Sequence, residues 1–365
     1  MSEWQTFCLK DLGKIVGGAT PPTNNLKNYG NKIAWITPKD LSTLQGRYIK
    51  KGSRSISRLG FKSCSCVLLP KHAILFSSRA PIGYVAIAEK RLCTNQGFKS
   101  IIPNKKIYFE FLYYLLKYHK DNISNIGGGT TFKEVSGATL GLFEVKIPPT
   151  YYEQQKIART LSVLDQKIEN NHKINELLHT LAYKIYEYYF KYKPKNAKLE
   201  QIIIENPKSS IMVKNAQKTQ DKYPFFTSGD NILSYPKAII DGRNCFLNTG
   251  GNAGIKFYVG KASYSTDTWC IGANEFSDYL YLLLSSIKNH INQSFFQGTS
   301  LKHLQKNLLK KYPIYMPSAH EIKKFNQIMM PLLTLISINT RTSKKLEQIR
   351  DFLLPLLLKQ QVKPK

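Results

Sequence analysis

Residues 157–175 of the chain read IARTLSVLDQKIENNHKIN, and this stretch decides the fold. Its apolar residues are spaced alternately four and three positions apart. Asn171 and Asn175 occupy the next two positions of this pattern, and apolar residues then continue it to Tyr189. An apolar period of 3.5 residues kept over many turns is typical of a coiled-coil seam, whereas an ordinary surface helix carries a broader stripe. The stretch therefore predicts a long helix that packs against another helix.

The same pattern occurs a second time 168 residues further along, with Asn339 in the place of Asn171. Both copies open with a capping box, Thr150–Glu153 and Ser318–Glu321, and a proline precedes each box. In such a box a hydroxyl accepts a hydrogen bond from an orphan amide while the glutamate reaches back. Two equivalent long helices, each after a large block of other sequence, predict a duplicated architecture.

Composition indicates the class of partner. The chain has 365 residues and is 42% hydrophobic, enough for two or more domains with cores of their own. Its 53 lysine and arginine residues against 24 acidic residues give a net charge of +29. Because this charge is spread along the chain and not gathered in one tail or amphipathic helix, it favours nucleic acid over a membrane as the polyanion.

The six cysteines show no CxxC pair and no ligand spacing with histidine, so we interpret them as reduced. Cys64-Ser-Cys66 has the alternation of a strand. The amino terminus lacks a signal pattern, and the longest apolar stretch, Phe352–Leu358, is too short to span a bilayer. These features predict a soluble cytoplasmic protein.

The predicted order along the chain is block, helix, block, helix. The segments are a first block at 1–148, a long helix at 149–193, a second block at 198–316 and a long helix at 317–360. Turn residues separate short strand-like runs in both blocks, and one short helix is predicted in each, near 108–120 and 278–288. The predicted strands are Ile33–Ile36, Cys66–Leu69, Ala73–Phe76, Tyr84–Ala88, Tyr223–Thr227, Ala238–Ile240, Asn244–Leu247 and Ile255–Val259. We expect an α+β fold with two mixed α/β modules.

Two residues of the second helix interrupt its pattern. Pro331 lies well inside the helix, and because proline removes one backbone hydrogen bond and clashes with the preceding turn, we expect a kink or a break there. Arg350 occupies a seam position, which predicts a snorkelling side chain or a place where the helices separate.

A search for catalytic motifs finds none with the required spacing. Residues 254–262 faintly resemble a phosphate-binding loop, but the glycine spacing is one residue too long and the Ser/Thr is missing. HExxH and Gly-x-Ser-x-Gly do not occur, and the seven histidines form no metal-ligand cluster. The chain is predicted to bind rather than to catalyse, with no metal or cofactor of its own.

Polar and basic residues in predicted loops are the candidates for contacts with nucleic acid. Arg79 lies on a turn between two predicted strands, from which an arginine can grip guanine bidentately. The other loop groups suit base edges and phosphates, although polar loops are usually only solvated. The candidates in the first block are Thr37, Lys39, Ser78, Arg79, Asn95, Gln96, Lys99, Thr130, Thr131 and Lys133. Those in the second block are Thr227, Ser228, Asn231, Asn248, Asn252, Thr266, Thr268, Thr299, Ser300 and Lys302.

The seam residues are predicted to pack the two helices together, and the asparagines among them to fix the register at some cost in stability. They are Ile157, Leu161, Leu164, Ile168, Asn171, Leu178, Ile185, Leu332, Ile336, Asn339, Leu346 and Leu353.

Over nearly its whole length the chain resembles the specificity (S) subunit of type I restriction-modification systems. The most specific match is IPPTYYEQQKIA at 147–158, continuing through 164–168 and 171–175. Further matches, typical of the recognition domains of this family, are 35–41, 78–83, 95–98 and 223–229. The second helix entry, 317–321, is degenerate by comparison.

The resemblance implies two target recognition domains, each reading one half of a split sequence in double-stranded DNA. The two helices would pack antiparallel as a coiled-coil spacer. Two methyltransferase subunits would dock on the helices and restriction subunits could join them. Those partners would hold S-adenosylmethionine and ATP. Two alternatives stay open at this point: a helical scaffold whose basic charge is incidental, and a divergent stand-alone nuclease or methyltransferase.

Overall fold

A computed structural model describes residues 3–129, 133–216 and 222–364. The chain forms two compact units. Unit 1 comprises Met1–Glu169 and Ile349–Lys365, and unit 2 comprises Asn170–Gln348. Both boundaries between the units fall inside a long helix, because the first helix runs from Tyr151 to Tyr186 and the second from Ala319 to Leu358.

In its described residues, unit 1 begins with ten β-strands and five short or medium α-helices. The strands are β1 Gln5–Cys8, β2 Gly13–Gly17, β3 Tyr29–Ile36, β4 Tyr48–Ile49, β5 Arg54–Ile56, β6 Ile74–Phe76, β7 Val85–Ala88, β8 Cys93–Thr94, β9 Lys99–Pro103 and β10 Glu144–Ile147. The helices are α1 Leu9–Leu12, α2 Pro38–Ser42, α3 Arg58–Lys62, α4 Phe109–Asn125 and α5 Gly137–Gly141, followed by the long helix α6 Tyr151–Tyr186.

The strands of unit 1 form a five-stranded sheet of order β2-β9-β6-β7-β4, a three-stranded sheet of order β5-β3-β8 and the pair β1-β10. Most neighbours are antiparallel, but β3–β8 and β4–β7 are parallel. The strand β6, with the sequence ILF, is buried throughout because sheet neighbours and α4 cover it. In α4 residues 110–116 are all buried, so this helix lies inside the unit rather than on its surface.

Unit 2 repeats this style of construction. Its strands are β11 Ala197–Lys198, β12 Ile204–Glu205, β13 Tyr223–Phe226, β14 Leu233–Tyr235, β15 Arg243–Asn248, β16 Ile255–Val259, β17 Ser263–Tyr264, β18 Thr268–Gly272, β19 Phe296–Gln297, β20 His303–Leu304 and β21 Pro313–Ile314. A π-helix, Glu187–Lys191, ends the first long helix. The later helices are α7 Ser277–Ser286, α8 Lys288–Ser294, α9 Lys306–Lys310 and the long helix α10 Ala319–Leu358.

The two units share an order of elements. The parallel pair β13–β17 corresponds to β3–β8, and the hairpin β15–β16 corresponds to β6–β7. The strand β18 in unit 2 pairs with β15, the first strand of its hairpin, and β9 in unit 1 pairs in the same way with β6. A helix then packs on the hairpin, α7 in unit 2 and α4 in unit 1. The prediction of two mixed α/β modules is confirmed, and so is the duplication.

Each unit contains a stretch of both long helices. In unit 1, Ile157 and Leu161 of α6 share an apolar core with Leu354 and Leu357 of α10. In unit 2, the Nδ2 of Asn171 lies 3.1 Å from the Oγ of Ser343, and the Nδ2 of Asn339 donates to the Oδ1 of Asn175 at 2.9 Å. From Asn171 to Asn175 the chain advances four residues along α6, while the contacted residue on α10 goes back four residues, from Ser343 to Asn339. The two helices therefore run antiparallel here.

The residues proposed for helix packing differ in burial. Ile157, Leu161, Ile168 and Ile336 are buried. Leu164, Asn171, Leu178, Ile185, Leu332, Asn339, Leu346 and Leu353 are half-buried. The predicted capping box at Ser318 forms in both directions, because the amide of Glu321 donates to the Ser318 hydroxyl and the amide of Ser318 donates to the Glu321 carboxylate. At Thr150 the amide of Glu153 donates to the Thr150 hydroxyl, which itself donates to the Glu153 carboxylate.

The structure corrects several details. The predicted break at Pro331 is wrong, because α10 continues through it. Pro331 and Gln327, whose carbonyl loses its helical donor, are both exposed, so water can replace the lost bond.

Two predicted strands, Cys66–Leu69 and Ala238–Ile240, are irregular, with a bridge only at Leu69 and at Ile240. Cys66, Leu69 and Ile240 pack into apolar cores from these loops, whereas Val67 and Ile239 are exposed. Cys64-Ser-Cys66 is not a strand. All six cysteines are free.

Candidate nucleic-acid interface

Three loops of unit 1 meet at the turn between β6 and β7. The amide of Ser78 donates to the carbonyl of Gly97 at 2.8 Å, and the amide of Val135 donates to the carbonyl of Ser78 at 3.0 Å. Asn95 braces the middle loop, since its Oδ1 accepts from the amide of Gly97 at 3.0 Å. The backbone of one residue, Ser78, thus joins all three loops. We call residues 77–83, 94–99 and 133–135 the unit 1 loop cluster.

One carboxylate holds two cations of this cluster, Arg79 and Lys99. The Nη1 of Arg79 lies 3.5 Å from Glu134, and the Nζ of Lys99 lies 3.4 Å from the other oxygen of Glu134. The side chains of Arg79 and Glu134 are 38% and 36% exposed. Exposed ion pairs contribute about 0–1 kcal/mol, so a phosphate or a guanine edge can compete for both cations.

The remaining candidates of the first block divide by exposure. Lys39, Gln96 and Lys133 are exposed, and the hydroxyl of Thr20 donates to the side-chain oxygen of Gln96. Thr130 and Thr131 lie outside the described residues.

Thr37 acts as the cap of α2. Its amide and its hydroxyl donate to Asp40 at 2.7 and 2.8 Å. Burial raises the pKa of Asp40, but hydrogen bonds from the amides of Ser53 and Thr37 outweigh burial and lower it overall. The ionised carboxylate therefore keeps the start of α2 fixed beside the cluster.

Unit 2 has an equivalent junction at Thr249, after β15. The hydroxyl of Thr249 donates to the carbonyl of Asp267 at 2.7 Å, and its amide lies 3.2 Å from the Oγ of Ser228. Its carbonyl accepts from the amide of Leu304 at 3.0 Å. These bonds join the β15–β16 turn to three other loops. Residues 227–231, 248–252, 265–268 and 297–303 form the unit 2 loop cluster.

Lys256 supports this cluster from β16. Its Nζ donates to the carbonyl of Thr227 at 2.8 Å and to the Oδ1 of Asn248 at 3.3 Å. The Nδ2 of Asn248 in turn donates to the carbonyl of Asn252 at 3.1 Å. Burial lowers the pKa of Lys256, and the carboxylates of the nearby aspartates oppose that shift. This lysine therefore orients loop residues and does not face solvent as a phosphate ligand would.

The candidates of the second block also divide by exposure. Asn231, Asn252, Thr266, Thr299, Ser300 and Lys302 are exposed, and Ser228 is half-buried. Thr227, Asn248 and Thr268 are buried, as is Ser78 in the first block. A buried side chain cannot enter a DNA groove, so these four residues hold loops in place and leave contacts to their exposed neighbours.

An arginine connects each loop-bearing module to a long helix. In unit 1 the Nη1 of Arg47 donates to Glu110 of α4 at 2.9 Å, and its Nε donates to Glu169 of α6 at 3.1 Å. In unit 2 Arg243 binds Asp278 of α7 at 2.6 Å through two nitrogens, and its Nη1 donates to Thr334 of α10 at 2.9 Å.

The two acids of these ties, Glu110 and Asp278, are separated by the same 168 positions as the long helices. Burial raises the pKa of Asp278, and the adjoining guanidinium opposes this shift. Sequence reasoning did not identify Arg47, Arg243, Thr249, Lys256 or Glu134, because none has a periodic or motif signal. The sequence offered one hint of these arginine contacts: α4 and α7 each have an acidic residue in their first turn.

Among the described residues, no group of three or more His, Cys, Asp or Glu side chains is placed to hold a metal ion. In the same part of the chain, no helix combines the length and the apolar character that crossing a membrane requires.

Comparison with known proteins adds independent information. Residues 1–180 and 195–348 match the family model described as type I restriction modification DNA specificity domain. The chain is 33% identical to the type I restriction enzyme MjaIX specificity subunit of Methanocaldococcus jannaschii, over 98% of this chain and 93% of that protein. It is 31% identical to the HindI specificity subunit of Haemophilus influenzae, over 46% of this chain and 37% of that one. The crystal structure of an S subunit from M. genitalium has the same fold, with a TM-score of 0.65 and 18% identity over 98% and 96% of the two chains.

Proposed function

Because the chain belongs to the type I restriction-modification DNA specificity family, we propose that it reads a bipartite sequence in double-stranded DNA, one half with each loop cluster. The observation that carries this proposal is the repeated junction, in which the backbones of Ser78 and Thr249 each tie a hairpin turn to neighbouring loops. Loops fixed in this way present their exposed side chains at defined positions, which sequence reading requires.

The exposed residues of each cluster have distinct tasks. Amide and guanidinium groups, such as Gln96, Asn252 and the partly exposed Arg79, suit the edges of bases. Lys39, Lys133 and other exposed lysines suit phosphates and supply affinity that does not depend on sequence. The net charge of +29 makes such affinity sensitive to salt.

The chemistry is assigned to partners. As a specificity subunit the chain would direct methyltransferase and restriction subunits to the site, and we propose two methyltransferase subunits, one for each half of the duplicated architecture. S-adenosylmethionine and ATP would be bound by those partners.

Exchange of one module tests the assignment. Residues 1–148 are replaced by the corresponding block of a relative with a different target, and the methylome of cells carrying the hybrid is sequenced. We expect one half of the methylated sequence to change while the other half and the gap are kept. The reciprocal exchange of residues 198–316 should change the opposite half. A change in both halves from either exchange would contradict the proposal.

A further inference from the structure

A second positively charged surface lies in unit 2, away from the loop cluster. It is a groove of about 730 Å³ between α10 and the strands β13 and β16. Its cationic lining residues are Lys222, Lys261, Arg341, Lys344 and Lys345. No aspartate or glutamate is among the residues that line it in the described part of the chain. A concave surface with one sign of charge focuses the electrostatic field and attracts a polyanion.

One of these cations, Arg341, is held in place by neutral acceptors. The Nη1 of Arg341 donates to the carbonyl of Val259 at 2.8 Å, and the guanidinium carbon lies 5.5 Å from the centre of the Tyr258 ring. A carbonyl or a ring orients a cation without cancelling its charge, so the groove is prepared for an anion before one arrives.

Two strands connect the groove with the unit 2 loop cluster, which is the proposed DNA-reading surface. The strand β13 starts at the groove with Tyr223 and ends next to Thr227 of the unit 2 loop cluster. The strand β16 runs from that cluster to the groove in the opposite direction. A strand of four or five residues spans about 13–16 Å. Phosphates follow one another every ~3.4 Å along each DNA strand, so a duplex held by the loops has phosphates at this distance from the bases being read.

We propose that this groove binds backbone phosphates of the DNA that flanks the half-site read by unit 2. The inference rests on the proposed function and adds a site to it. Because phosphates are the same in every sequence, the groove contributes affinity and register without changing the target. The exposed amines of Lys261 and Lys345, one on each wall, are the most direct contacts.

The test removes one charge from each wall and leaves the internal hydrogen bonds intact. The full chain carrying Lys261→Gln and Lys345→Gln is titrated with a cognate duplex and a scrambled duplex over a range of NaCl concentrations. Each lost phosphate contact lowers the slope of log affinity against log salt by about one, so we expect a decrease of about two. The weakening should be equal on both duplexes, and the methylated sequence in cells should be unchanged.

The control variant, Lys323→Gln with Lys324→Gln, removes the same charge from exposed positions of the same helix. The inference is overturned if the groove variant keeps the wild-type slope, or if the control loses as much. It is also overturned if the groove variant binds DNA normally but no longer binds a co-expressed methyltransferase subunit. A wild-type chain that retains no duplex would contradict the proposed function itself, whereas an unaltered groove variant contradicts only the groove.

Discussion

Arg350 occupies a seam position of α10 where the heptad pattern requires an apolar side chain. Its Nη1 donates to Asp165 of α6 at 2.6 Å, and the hydroxyl of Tyr114 donates to the second oxygen of Asp165 at 2.6 Å. The Arg350 and Asp165 side chains are 13% and 5% exposed. The seam arginine therefore neither snorkels nor marks a separation, and within unit 1 it forms a buried ion pair between the two helices.

Removing one partner of this pair should be costly. Asp165→Ala leaves a buried guanidinium and a buried phenol without their shared acceptor, so we expect unfolding to become easier by about 3 kcal/mol. The double variant Asp165→Leu with Arg350→Leu should recover part of this loss, because it removes the unpaired guanidinium and leaves only the Tyr114 hydroxyl without its acceptor. Urea unfolding midpoints measure both effects. Equal midpoints for wild type and Asp165→Ala would show that the pair contributes nothing.

The entry to α10 should weaken in acid. Ion pairing with Lys193, reinforced by the amide of Ser318 and the hydroxyl of Tyr315, lowers the pKa of Glu321 to about 2. Because the folded pKa lies below the ordinary value of 4.5, the stabilisation is complete above pH 4.5 and is lost as pH falls toward 2. Glu321→Gln should therefore be less stable than wild type at pH 7, and the difference should shrink by pH 3. A constant difference across this range would contradict the assignment.

At the scale of elements, the sequence predicted the helices better than their register. The repeat aligns Asn171 with Asn339 as equivalent positions, yet Asn171 bonds to Ser343 and Asn339 bonds to Asn175. Periodicity shows which face of a helix is buried, but partners in an antiparallel pair depend on where the chain turns back. The strand β16 was predicted with its observed bounds because four of its five residues are β-branched or aromatic. The apolar residues near Cys66 have a similar composition but lie in a loop.

The loop junctions lay beyond sequence reasoning for a related reason. Ser78 acts through its backbone, and Thr249 and Lys256 act through bonds to residues distant along the chain. Such contacts leave no spacing to detect. The sequence indicated that polar loops carry the candidate residues, but it could not separate supporting residues from exposed ones.

The polar seam of unit 2 is expected to favour one register at the expense of stability. Asn175 donates to the carbonyl of Ile336 at 3.4 Å and to Thr340 at 3.3 Å, and accepts from Asn339. Asn175→Leu leaves the amide of Asn339 half-buried without its acceptor, so we expect a loss of about 1–3 kcal/mol. Asn175→Leu with Asn339→Leu should be at least as stable as wild type. Urea unfolding of the two single variants and the double variant measures the coupling, and additive effects would exclude it.

At the scale of the whole molecule, we expect the two repeated modules to specify the sequence and the helix pair to specify the distance between the half-sites. Hydrogen bonds of Arg47 connect α4 to α6 in unit 1, and those of Arg243 connect α7 to α10 in unit 2. A module so attached moves with its helix rather than on a flexible linker. We therefore infer that the length of the helices sets the number of unread base pairs between the two half-sites.

Lengthening the helix pair tests this inference. One heptad is inserted after Glu169 in α6 and one after Lys344 in α10, which keeps the seam on the same face and preserves the antiparallel partners within each unit. Seven helical residues add about 10 Å, which corresponds to about three base pairs at ~3.4 Å each. Methylome sequencing should show both half-sites unchanged and a longer gap between them. Insertion in one helix alone breaks the register and should abolish methylation, so a double insertion that keeps the original gap would show that distance is set elsewhere.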